Sequence, residues 1–157
     1  MNVANSPVTR LQEEVGVLRE FVQILHREQQ ALVAANAEVL LPLTTEKNTA
    51  ANRLTGLANQ RSLALAADGF PANGAGMNQW LKKHPDRVTA GLWAEFLTLA
   101  QEARTLNELN GKLIQDRMSH NQKALIALTA ASENAAIYGP DGQTRFTPGS
   151  GRSLGSA

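Results

Sequence analysis

The three histidines, His26, His84 and His120, are the residues best suited to metal or proton chemistry, and they lie far apart in the sequence. A zinc site needs three or four ligands converging on one point, and Asp116 with His120, one helical turn apart, supplies only two. With no cysteine in the chain, disulfides, thiolate zinc sites and cysteine nucleophiles are excluded, which fits a reducing compartment. Serine or threonine nucleophiles need a base and an oxyanion donor on a strained turn, and no Gly-x-Ser-x-Gly sequence is present. The glycines at 69–76 and in the tail lack the lysine and following helix of a phosphate-binding loop. Glu13, Glu14, Glu20 and Glu28 alternate with Arg10, Arg19 and Arg27, and read as outward rows of a solvated mixed-charge face rather than an acid–base pair. Trp80, Trp93 and Phe96 recur at helical spacing and read as core, with a ligand pocket beneath the two tryptophans as the competing reading. The chain therefore reads as a protein without catalytic residues, metal or cofactor.

Asn107, Asn110 and Gly111 fall in the middle of a long helical pattern, where each is a weaker helix former than alanine. One reading is close packing, with Gly111 admitting a neighbouring helix and the two asparagines hydrogen-bonding to it. The other is a recognition face or hinge.

The elements that must carry these residues are helical. Hydrophobic residues make up 43% of the 157 residues but aromatics only 4%, so leucine and alanine provide the burial and favour slender helix packing. The formal net charge of +1 comes with no concentrated basic face, which argues against nucleic acid as a partner. The first residues lack the basic start and apolar run of a secretory signal, and no apolar stretch approaches the roughly 20 residues of a membrane span. A cytoplasmic protein without membrane insertion is expected.

Ser6-Pro7 reads as an N-cap followed by proline in the first turn. From there Val8, Val15, Val22, Gln29 and Asn36 alternate with Leu11, Leu18, Leu25, Leu32 and Val39 at three- and four-residue spacing, a coiled-coil-like seam. Gln29 and Asn36 either fix register or mark the helix end. The seam then changes phase to Leu40, Lys47, Leu54, Arg61 and Leu43, Ala50, Leu57, Ala64. This places a turn between Asn36 and Pro42, or else a single helix kinked at Pro42. Glycine, proline and asparagine at 68–76 mark a loop. A short lid helix carries Met77, Trp80 and Leu81, and Asp86 can cap the last helix. Its inward rows read as Leu92, Leu99, Leu106, Leu113 and Phe96, Ala103, Asn110, continuing to Ala124, Ala127, Leu128 and Ala131. The expected fold is all-α, an elongated antiparallel helical bundle with helices near 7–35, 37–67, 77–83 and 86–134. The glycine-, serine- and proline-rich residues 138–157 read as a flexible tail. Such seams allow a monomer or a weak homodimer, and a structural coiled-coil subunit is one possible function.

The series Asn107-x-x-Asn110-Gly111-x-Leu113-Ile114, followed about two dozen residues later by Ile137-Tyr138-Gly139-Pro140-Asp141-Gly142-Gln143, resembles the signature of the FlgN family of bacterial flagellar export chaperones. Glu46-Lys47, Arg61, Met77, Trp80-Leu81 and Trp93 also sit where that family has similar residues. The likeness spans roughly residues 8 to 143, and this chain departs from the family pattern at Pro42. The resemblance implies a cytosolic chaperone of flagellar type III secretion, involved in flagellum assembly and without ATP hydrolysis of its own. Its partners would be the hook-associated proteins FlgK and FlgL and the flagellar export gate. It further implies that the end of the last helix and the tail recognise the client, and that Tyr138 docks on the gate. Packing at helical spacing makes Leu125, Ile126, Leu128, Thr129 and Ile137 the candidate client surface. Tyr138 itself is either an exposed anchor before the Gly139-Pro140 break or a staple of the helix end.

Overall fold

In a computed structural model, which describes residues 6–137, four helices follow one another: α1 (Pro7–Val33), α2 (Ala37–Ala67), α3 (Gly74–Lys83) and α4 (Arg87–Ile137). The fold is all-α, as the periodicity predicts. The chain divides into two compact units, Met1–Ile114 and Gln115–Ala157, with α4 contributing to both.

The helix ends follow from local chemistry. The Ser6 hydroxyl accepts from the Val8 amide at 3.2 Å, and Pro7 occupies the first turn, where its missing N–H leaves no bond unmade. At the other end of α1, Ala35 adopts a left-handed φ of 56°. The Asn36 amide donates to the Ala31 carbonyl at 2.9 Å and the Ala35 amide to Leu32 at 3.3 Å, a Schellman closure with alanine where glycine is usual. The turn therefore lies at 34–36, and Pro42 sits inside α2, near its start. Gly69, with φ 82°, closes α2 in the same way, and Phe70 donates its amide to the Leu65 carbonyl at 2.9 Å.

Asn73 accepts from the Gly76 amide at 3.0 Å and starts α3 three residues before the expected Met77. Gly76 is obligatory there, because a Cβ would fall 1.7 Å from the Pro71 carbonyl oxygen. Asp86 accepts from both the amide and the hydroxyl of Thr89, at 3.0 and 2.5 Å, and so opens α4. The Thr89 hydroxyl, followed by its amide, holds the Asp86 carboxyl below its ordinary value of 3.8.

In the first unit, α1 and α2 run antiparallel and α4 runs parallel to α1. Arg27 meets Glu46 and Arg61 meets Glu14 in the antiparallel sense, whereas Arg19 and His26 meet Glu95 and Glu102 in the parallel sense. This up-down-up order leaves α1 flanked on two sides, so it buries two stripes rather than one. Leu18, Val22 and Leu25 pack on Ala103 and Leu106 of α4, while Val17, Ile24 and Ala31 pack on Leu43 and Ala50 of α2. At one end Leu11, Val15, Leu65, Met77, Trp80 and Trp93 gather under α3. Phe21 and Leu54 are half-buried and adjoin both long clusters. The valine and leucine rows of α1 thus face inward as expected.

The acidic residues of α1 do not all lie where the charge pattern put them. Glu14 and Glu28 are 1% and 4% exposed, not part of a solvated face. They belong to the second buried stripe, and each meets a cation from the α2 row that carries Lys47 and Arg61. Glu14 accepts from Arg61 at 2.5 and 3.2 Å, and Glu28 from Lys47 at 3.1 and 3.4 Å.

Among the described residues of the second unit, every side chain from Met118 to Asn134 is exposed. Ala124, Ala127, Leu128 and Ala131 are therefore not inward positions, contrary to the continued row. Helical spacing of small and apolar residues marks a face that packing would favour, and it does not require that the chain's own helices cover it.

Candidate protein-binding site

Two regions bear on recognition: the asparagine–glycine series in the first unit and the terminal turns of α4 in the second. Asn110 is completely buried, at 0% exposure. Its side-chain amide donates to the Leu25 carbonyl at 2.9 Å and to the Glu28 carboxylate at 2.9 Å. Both partners are acceptors, which fixes the amide orientation, since the oxygen of Asn110 has nothing to offer either of them. Because Glu28 also accepts from Lys47, one carboxylate ties α1 to α2 and α4 together.

The other members of the series divide. Asn107 is exposed, so it makes no buried cross-helix bond of the kind packing predicts, and a Cβ on Gly111 would meet nothing within 4 Å. Gly111 therefore does not serve close approach. Leu113 is half-buried and Ile114 is 39% exposed. The packing reading holds for Asn110 alone.

A second polar node lies nearer α3. The Arg61 guanidinium, paired with Glu14, lies 5.2 Å from the ring centroids of both Trp93 and Phe96, whose rings stack at 5.1 Å with 7° between planes. Trp93 donates to Asn78 at 2.9 Å and Trp80 to Asp68 at 3.1 Å, while His84 stacks on Trp80 at 4.4 Å. Both tryptophans are 6% exposed, so they are core rather than the walls of a pocket. His26 contacts Glu102 at 3.0 Å, and no group of three His, Asp or Glu among the described residues is placed to hold a metal ion.

In the second unit the candidate client residues Leu125, Ile126 and Leu128 are 64%, 62% and 68% exposed, and Thr129 is exposed with its hydroxyl donating to the Leu125 carbonyl at 2.9 Å. At about 100° per residue, Leu125 and Leu128 share a face that Met118, 66% exposed, extends one heptad back, whereas Ile126 lies a quarter-turn or more away. Met118 is the apolar residue that sequence reasoning missed, although its seven-residue spacing to Leu125 was in view. Between Lys123 and Glu133 the helix carries no charge. Ile137 closes α4; Tyr138, Gly139 and Gly142 lie outside the described residues.

The described residues form an all-α protein with buried charged nodes in its first unit and an uncharged, exposed helical stretch in its second, and no described helix is long and apolar enough to cross a membrane. The model of the FlgN protein family matches residues 1–145, and this chain belongs to that family. It is 28% identical over 153 residues to the flagella synthesis protein FlgN of Salmonella typhimurium, covering 94% of this chain and 99% of the relative. It is 27% identical over 143 residues to that of Proteus mirabilis, covering 90% and 91%, and 25% identical over 155 residues to that of Escherichia coli, covering 94% and 99%. No solved structure matches.

Proposed function

We propose that this protein is a cytoplasmic flagellar export chaperone that holds hook–filament junction proteins of the FlgK and FlgL type and delivers them to the type III export gate. The observation that carries this reading is the exposed row Met118, Leu125 and Leu128 on α4, whose two leucines lie on a stretch without charged residues. A client helix laid along such a row buries leucine-sized side chains at three- and four-residue spacing. The neighbouring alanines permit close approach and add little grip, which suits a complex that must release its cargo. Tyr138, just beyond α4, is proposed as the gate contact, since tyrosine is enriched among interface anchors.

Binding of the intact protein to the C-terminal segments of candidate clients tests the reading. Leu125→Asp with Leu128→Asp leaves the helical circular dichroism in place and weakens binding by roughly a hundredfold. Unchanged affinity in that variant overturns it. A structural subunit paired through its heptad seams is disfavoured by the burial of Leu11, Val15, Leu18, Val22, Leu25 and Leu32 within the chain's own bundle.

A further inference from the structure

We propose that the groove between α1 and α2 around Gly16 and Gly56 is a docking site for a short amphipathic helix of a partner protein. The partner's large aliphatic side chains enter the groove, and cations spaced a heptad apart line its edge. This surface belongs to the first unit and goes beyond the client reading, which concerns Met118 to Leu128.

Gly16 and Gly56 both lie inside long helices, where glycine is less stable than alanine, and a Cβ on either would meet nothing within 4 Å. They are not needed for α1 and α2 to approach one another. What their missing side chains do is open a groove of about 430 Å³. Its floor is apolar, formed by Val17, only 3% exposed, and the half-buried Leu57.

The rim is charged in an ordered way. On α1 stand Glu13 and Glu20, seven residues apart, with side chains 50% and 65% exposed, and Glu13 lies 3.5 Å from Arg10 of the same helix. On α2 stands Arg53, 59% exposed and 3.6 Å from Glu20, a solvent-screened pair that a partner can displace with little loss.

The chain's own use of its other groove states the rule for an occupant. There α4 lies against Leu18, Val22 and Leu25, and its Glu95 and Glu102, a heptad apart, meet Arg19 and His26, also a heptad apart, at 2.6 and 3.0 Å. The Gly16–Gly56 groove carries acids a heptad apart on α1, each in an exposed pair with a cation of this chain, Arg10 or Arg53, that a partner's cation would replace. A helix with lysine or arginine at heptad spacing is therefore complementary to it.

The test uses the full-length protein and a synthetic helical peptide carrying leucines at three- and four-residue spacing and lysines a heptad apart. A control peptide has glutamate in place of lysine. Amide chemical-shift perturbation should centre on Gly16 and Gly56, with the control binding roughly tenfold more weakly. Gly16→Leu with Gly56→Leu, which fills the groove, abolishes the perturbation, and Leu125→Asp with Leu128→Asp leaves it intact. Should the leucine variant fail to fold, Glu13→Lys with Glu20→Lys, at exposed positions, reverses the preference between the two peptides. Perturbation confined to Met118–Leu128, equal binding of both peptides, or the same shifts arising without peptide as protein concentration rises would each overturn the proposal.

Discussion

Asn110 concentrates the polar chemistry of the first unit into one side chain. Removing its amide leaves the buried Glu28 carboxylate with Lys47 alone, so Asn110→Ala should lower the unfolding free energy by about 1–3 kcal/mol in urea titration. Asn110→Asp should do more harm than Asn110→Ala, because it sets a second carboxylate against Glu28 in a dry site. An alanine variant as stable as the parent would show that the cross-helix bond contributes nothing. The partner of Asn110 was not legible in the sequence, since nothing in a helical pattern says which carbonyl across a bundle a buried amide will meet. The ion pairs were closer to hand. Lys47 and Arg61 interrupt the inward row of α2 fourteen residues apart, and Glu14 and Glu28 stand fourteen apart on α1. A single buried stripe on α1 hides that match, whereas two stripes make it obligatory.

At the scale of elements, the heptad rows and caps carried most of the information. Ser6-Pro7, Asn73 and Asp86 start their helices because their side chains or ring suit a first turn, and the loop at 68–73 follows from Gly69. The α1–α2 turn was harder to place, because Pro42 is the stronger breaker in isolation. Near the start of α2 it withholds one backbone bond at an exposed position, and the helix continues through it. The turn instead closes on Ala35, whose φ of 56° strains an L-residue with a Cβ. Ala35→Gly should therefore raise the unfolding free energy by about 0.5–1 kcal/mol, read as a higher melting midpoint. A lower midpoint would mean that the turn is not held in the left-handed conformation.

For the molecule as a whole, the two buried pairs act as a register lock between α1 and α2. Sliding one helix past the other by a heptad would set Arg61 against Phe21 and Glu28 against Leu54, leaving charges buried without partners. The buried core of the first unit contrasts with a second unit whose described side chains all face solvent from Met118 to Asn134. The sequence marked the helix there but not its exposure, because an inward row and an uncovered one have the same spacing. The most direct test is hydrogen exchange on the intact protein with and without the C-terminal segment of a FlgK- or FlgL-type client. New amide protection is expected over Met118–Ser132, with exchange unchanged around Leu11–Leu32. Protection that appears only in the first unit, or nowhere, would contradict the client reading.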